Sequence, residues 1–154
     1  MKKTSNKGFS MVELIIVIAI MAILAAALAP SLIKYINKSR LSTDIQTGTT
    51  IASAINAALA VEKAYDAASS YDKTQTLVNN VIGASDAFGT EVANVVGATS
   101  VSGKSKKDLA GATLDQNFYC YIDCANNKVI VWYGTSGDSQ HHQVSPTPGD
   151  SMAE

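Results

Sequence analysis

One carboxylate, Glu13, stands just ahead of an uninterrupted apolar run: every residue from Leu14 to Ala29 is Leu, Ile, Val, Ala or Met. An ionised side chain at the centre of a bilayer costs about 2.5–3.5 kcal/mol, and less near the interface, so Glu13 calls for a partner. Two other sets of residues have chemistry to offer. Cys120 and Cys124 could be oxidised, and a cysteine with the His141–His142 pair is formally competent for nucleophilic work. Neither set is convincing. Along a regular strand, the step from Cys120 to Cys124 spans about 13 Å. A disulfide needs Cα atoms within about 7 Å. A Cys120–Cys124 bridge therefore requires a bent strand, and buried thiols are the competing expectation. The histidines lie in a polar tail, where solvation explains them as well as pH sensing does, and they fall two ligands short of a zinc set. No phosphate-binding glycine loop, H-E-x-x-H or serine elbow occurs in the chain. The sequence reads as a non-enzyme, with no metal and no cofactor.

The element that must position Glu13 is a helix. With Pro30 and Ser31 as the only interruptions, the apolar stretch continues to Ile33, close to the roughly 20 residues needed to cross about 30 Å of hydrocarbon. Three uses compete. A removable secretory signal would have Lys2, Lys3 and Lys7 as its basic region and "AILAAALAPS" as its cleavage zone, but its apolar core should run only about 7–15 residues. An ordinary anchor explains the length and leaves Glu13 unexplained. An anchor that is processed and then reused in an assembly explains both.

"KGFSMVELIIVIAIMAIL" resembles the processing and assembly segment of type IV prepilins. The family's pattern is a basic leader ending in Gly, then Phe, a few residues, Glu and a long apolar stretch. Lys2, Lys3, Lys7, Gly8, Phe9 and Glu13 supply it here, and Pro30 falls where the family commonly breaks its first helix. Ser10 and Met11 stand where Thr and Leu are commoner. The resemblance covers about the first forty residues. It implies cleavage between Gly8 and Phe9 by a membrane prepilin peptidase, and methylation of the new Phe9 amine. Residues at i and i+4 lie on one helix face, so Phe9 and Glu13 share a side, and Glu13 can meet the amine of its own chain or of a neighbour. Desolvation cancels much of that attraction, so Glu13 is expected to set register while apolar packing supplies the bulk attraction. Lysines flank the span on both sides, so the positive-inside rule is nearly tied, and the resemblance places the leader in the cytoplasm.

The expected fold is α+β: a long N-terminal helix, apolar then amphipathic, packed on a small antiparallel sheet. The expected segments are a leader (1–8), an assembly helix (9–33), the amphipathic half (34–68), a head (69–134) and a polar tail (135–154). Pro30 should kink or loosen the helix near Ala26. Ile33, Ile36, Leu41, Ile45, Ala52, Ile55 and Leu59 mark the core side at helical spacing, with Asp44 mostly off it. Helix should persist to about Ala67, with Gly48 as a flexible or a close-packing point. "KTQTLVNNVIG" should be helical and stop at Gly83. "SDAFGTEVANVVGATS" fits a short helix weakened by Gly89. "GKSKKD" reads as a solvated loop, and Leu109 to Leu114 as a further strand. "QNFYCYIDCANNKVIVWYG" reads as a hairpin turning at "NN", pairing Cys124 with Val129, Ile122 with Val131, Cys120 with Tyr133, and Tyr121 with Trp132 on a more exposed face. Asn37-Lys38-Ser39 matches a glycosylation acceptor by chance.

A net charge of −1 with 16% charged residues offers no basic face for phosphates, so no specific nucleic acid is expected. The leading functional expectation is a structural filament subunit. Its partners would be the prepilin peptidase, other copies of itself and related pilins, the cytoplasmic membrane before assembly and the pilus machinery. The fibre would serve adhesion, motility or DNA uptake at the cell surface. A pseudopilin of a type II secretion system and a single-pass anchored extracytoplasmic binding domain are the alternatives.

Overall fold

Helix α1 (Met11–Leu59) begins two residues after Phe9 and runs through Pro30. The structure is a computed structural model that describes residues 8–134, 136–137, 142–147, 149 and 152. Lys2, Lys3, Lys7, His141 and Pro148 lie outside the described residues. Two compact units divide the chain, Met1–Ile36 and Asn37–Glu154, and each is treated by itself.

In the first unit every described side chain from Gly8 to Ile36 is exposed. Leu, Ile and Ala supply the helix, and none of the described residues of this unit covers them. Pro30 has no N–H to give the Ala26 carbonyl, and Ser31 Oγ donates to the Leu28 carbonyl at 2.8 Å. Ile33 and Ile36 remain exposed, at 67% and 43%, so the apolar stripe expected from Ile33 starts only at Leu41.

In the second unit α1 buries Leu41, Ile51, Ala52, Ala54, Ile55, Ala58 and Leu59, with Ile45 partly covered. The helix stops at Leu59, short of the expected Ala67. Ala60 and Val61 donate to the Ala57 and Ala58 carbonyls at 3.1 Å, the tighter closure that ends a helix. Val61 is extended and a second helix, α2 (Glu62–Ala68), follows, running into a 3₁₀ turn at Ser69–Tyr71.

The sheet has four antiparallel strands in the order β1 (Gln75–Leu77), β2 (Phe118–Asp123), β3 (Lys128–Tyr133), β4 (Gln143–Ser145). The expected hairpin forms with its register moved by two residues: Ile122 faces Val129, Cys120 faces Val131 and Phe118 faces Tyr133. Asp123 is the cause. Its carboxylate accepts from the Asn126 backbone N–H at 3.1 Å and from the Asn126 side-chain amide at 2.8 Å. The turn is thereby lengthened to four residues, with Asn127 at positive φ. A shift of two preserves the faces because the strand period is two. Phe118, Cys120, Ile122, Val129, Val131 and Tyr133 all enter the core. On the other face Tyr119, in place of Tyr121, stacks on Trp132 at 5.7 Å, and Trp132 is fully buried instead of exposed.

Three segments depart further from expectation. Gln75–Leu77, expected as helix, pairs with β2 before the short helix α3 (Val78–Ile82) begins. Gln143–Ser145, expected within a loop or frayed tail, is strand β4, and Val144 is 1% exposed. Leu109–Leu114 forms no strand; the segment contributes only the isolated bridge from Thr113 to Lys107. Helix α4 (Ala87–Val96) forms as expected, capped by Asp86, whose carboxylate accepts the Gly89 N–H at 2.6 Å, and ended by Gly97 at φ 72°.

Gly48 is a close-packing point. A Cβ there would fall 2.1 Å from Val144 Cγ2, with Phe118 close behind. Gly48→Ala would gain about 1 kcal/mol of helix propensity but overpack the α1–β4 contact at a typical cost of about 1–3 kcal/mol. The expected outcome is a lower thermal midpoint for the full chain in detergent. A rise in the midpoint would show that Val144 yields freely.

Candidate cleavage and assembly segment

Gly8, Phe9 and Ser10 precede the first helical turn, and Phe9 is 85% exposed. The Gly8–Phe9 bond therefore lies in extended or irregular chain just outside a helix, where a peptidase can reach the backbone without unwinding it. In the uncut chain the shared helical face expected for Phe9 and Glu13 is absent, because Phe9 is not helical. Glu13 has a nearer partner. Its Oε2 accepts the Ser10 backbone N–H at 2.8 Å, while Ser10 Oγ accepts the Val12 N–H at 3.3 Å. This is a capping box, Ser-x-x-Glu, in which two N–H groups left over at a helix start are satisfied reciprocally. The "SMVE" spacing ahead of an apolar run is its sequence signal. Ser10, which seemed a mild departure from the family pattern, is a working part of it.

The carboxylate also sits in the first turn, where a negative charge is favoured by the helix dipole by about 0.3–1 kcal/mol. Two local terms thus offset the cost of Glu13 near the membrane: the bond from the Ser10 N–H, which also satisfies that donor, and the favourable dipole.

The head carries a second polar construction, at Asp44. This side chain was expected off the core face and is 1% exposed. Its two oxygens accept the Lys104 and Ser105 backbone N–H groups, each at 2.8 Å. Ser105 Oγ donates to the Lys107 carbonyl at 2.7 Å and lies 3.1 Å from Asn37 Oδ1, and the Tyr133 hydroxyl donates to the Ser105 carbonyl. Burial pushes the Asp44 carboxyl above its ordinary range, against the opposing pull of the two N–H donors and the Lys104 charge. The Asn37 amide that opens the glycosylation-like triplet is engaged in this network rather than presented to an enzyme. His142, expected as a solvated tail residue, is 7% exposed, with Nε2 3.3 Å from Asp108 Oδ2.

Cys120 and Cys124 are both free. Cys120 lies in β2 facing the core, its Sγ 3.6 Å from the Thr76 carbonyl, and burial pushes its thiol up to about 12. Cys124 is half-buried beyond the strand end. Burial and the Asp72 carboxylate raise its thiol as well, so neither cysteine is poised as a thiolate nucleophile. β2 runs unbroken from Phe118 to Asp123, without the bend that a Cys120–Cys124 bridge requires. Among the described residues no group of three or more His, Cys, Asp or Glu could hold a metal ion.

Residues 3–29 match the sequence family described as "Prokaryotic N-terminal methylation motif". The N-terminal segment is therefore a type IV prepilin-like signal. The motif supports a type IV pilin-like or pseudopilin precursor, a structural class of protein, anchored by its apolar helix. That helix is long and apolar enough to cross a membrane. No curated protein and no solved structure matches the chain.

Proposed function

We propose that the chain is a structural subunit of a type IV pilus-like filament. Prepilin peptidase cuts it between Gly8 and Phe9 and methylates the Phe9 amine. The apolar helix holds the subunit in the cytoplasmic membrane until the pilus machinery moves it into the fibre, and there it packs on the helices of other copies and of related pilins. The observation that carries this reading is an apolar helix, exposed from Met11 to Ile36, joined to a prepilin-type signal. Exposed apolar surface on this scale needs lipid or other subunits, and the filament supplies the second once the first is left behind. A heterologous, non-closing contact between such helices builds a fibre of indefinite length.

The test is the N-terminus of the exported protein. Intact-mass and N-terminal peptide analysis should find a chain beginning at Phe9 and carrying one extra methyl group. A mature chain that keeps Met1 supports the anchored binding domain instead. A chain that begins after Ala29 makes the segment a removable secretory signal.

A further inference from the structure

We infer that the loop from Lys104 to Leu114 is a membrane-contact finger: its lysines meet the phosphates of anionic lipid headgroups, and Leu109 at its tip enters the boundary with the acyl chains. The inference rests on the membrane-anchored stage of the reading above. It adds a second lipid contact, made by the head.

The finger is a closed structure. The Leu114 N–H donates to the Lys106 carbonyl at 3.0 Å, the Asp108 N–H to the Ala112 carbonyl at 3.0 Å and the Gly111 N–H to the Asp108 carbonyl at 3.2 Å. The Asp108 carboxylate also accepts the Ala112 N–H at 2.7 Å. Leu109 and Ala110 are thus the central pair of a four-residue turn. Both are exposed, Leu109 at 37%.

Behind this apolar tip stand the cations. Lys104, Lys106 and Lys107 are exposed, while Gly103, Ser105 and Asp108 between and beside them are buried. Asp115 is the one exposed carboxylate from Lys104 to Asp115. Lys104 is partly offset by Asp44 beneath it. Lys106 and Lys107 have no ion-pair partner among the described residues. The net charge of −1 over the whole chain conceals this local excess.

Covalent continuity fixes what lies next to the finger. Asn37 Nδ2 donates to the Asp108 carbonyl at 3.4 Å, and Asn37 Oδ1 lies 3.1 Å from Ser105 Oγ. The base of the finger is therefore held on α1 at Asn37. Asn37 follows Ile36, the last residue of the apolar unit, by one peptide, or about 3.8 Å between Cα atoms. The headgroup layer on each side of the hydrocarbon is about 5–8 Å thick. Groups held at Asn37 are at headgroup depth once the apolar unit spans the bilayer, and the tip reaches up to about 7 Å further along the chain from Asp108. An apolar tip with a basic collar is the composition of interfacial segments. Lysine stems can lie along the acyl boundary while their ammonium groups reach phosphate. A nucleic-acid backbone would use the lysines and leave Leu109 without a role.

The full chain, reconstituted in vesicles of phosphatidylcholine with or without phosphatidylglycerol, tests this. It is acetylated briefly with a membrane-impermeant amine reagent and read by peptide mass spectrometry. Lys63 on α2 and Lys128 at the start of β3, both exposed, are the internal references. Lys106 and Lys107 should react at least about fivefold more slowly, relative to the references, when phosphatidylglycerol is present. Salt at about 0.5 M should remove most of that difference. In Leu109→Trp, acyl-brominated phosphatidylglycerol should quench tryptophan emission well beyond wild type, whose single tryptophan, Trp132, is buried. Equal lysine rates in the two vesicles overturn the inference, and so does equal slowing of Lys63 and Lys128. Quenching of Leu109→Trp no greater than that of wild type overturns it too. Protection by duplex DNA added to phosphatidylcholine vesicles, with none from phosphatidylglycerol, assigns the lysines to nucleic acid instead. All of these results leave the filament reading standing. A chain that fails to float with either kind of vesicle overturns the anchored stage of that reading and this contact with it.

Discussion

Glu13→Gln is expected to be cut normally between Gly8 and Phe9 and to yield filaments at less than a tenth of the wild-type level. The substitution separates two roles that Glu13→Ala would merge. A glutamine keeps an acceptor for the Ser10 N–H, the bond that measures 2.8 Å in the uncut chain, so the helix start survives at a cost below about 1 kcal/mol. It removes the negative charge. In the proposed filament that would leave a neighbour's methylated Phe9 amine without its counter-charge, and breaking one side of a buried pair typically costs about 3–5 kcal/mol. A tenfold change needs about 1.4 kcal/mol, so the expected loss exceeds tenfold even if solvent screens much of the pair. Ser10→Ala supplies the control. It removes only the 3.3 Å acceptor of the Val12 N–H, and should leave filament yield within about threefold of wild type. Normal filaments from Glu13→Gln would assign the residue to helix capping alone. Equal damage from Ser10→Ala would make the helix start, not the charge, the quantity that assembly reads.

Asp44→Ala should destabilise the head by about 2–5 kcal/mol, the largest stability effect of any single substitution proposed here. It leaves the buried Ser105 N–H and the part-buried Lys104 N–H, each now 2.8 Å from a carboxylate oxygen, without an acceptor, at about 1–3 kcal/mol for the first and less for the second. Asp44→Asn keeps one acceptor and should cost less. The difference between wild type and Asp44→Asn should also depend on pH. Burial raises the folded-state pKa of Asp44 above its unfolded value, so the folded head binds that proton more tightly. The corresponding stability is fully present below the ordinary carboxylate pKa of 3.8 and is lost as pH rises through the raised value. The advantage of wild type over Asp44→Asn should therefore be greatest in acid and shrink toward neutrality. Thermal midpoints of both full-length chains in detergent across that range measure it. An advantage that grows toward neutral pH would mean that the two N–H donors outweigh desolvation at this site.

The N-terminal segment was legible because its physics is local. Apolar length, the basic leader and the Gly8–Phe9–Glu13 spacing are properties of consecutive residues, and the family match at residues 3–29 rests on the same ones. The capping box was legible too, in "SMVE", but the expectation of a helix through Phe9 obscured it. In the head, periodicity identified the core faces of α1, α4 and the hairpin, since 3.6- and 2-residue repeats are written along the chain. It could not choose between hairpin registers two residues apart, which bury the same side chains. Asp123, by folding its carboxylate onto Asn126, made that choice.

Composition misdirected the reading where long-range contacts decide. Gln143–Ser145 sits in a polar, proline-bearing stretch, yet it becomes a strand because β3 offers it an edge and Gly48 leaves room for Val144. Asp44, expected off the apolar stripe, is buried because the backbone of Lys104 and Ser105, sixty residues on, uses its two oxygens. By itself, then, the sequence determined the prepilin-like signal, the long apolar helix and the α+β class, all written in nearest neighbours and short repeats. Register, the fourth strand and the pinned basic loop were decided only by the tertiary structure, because each depends on which distant N–H, carbonyl or methyl group the folded chain brings within reach.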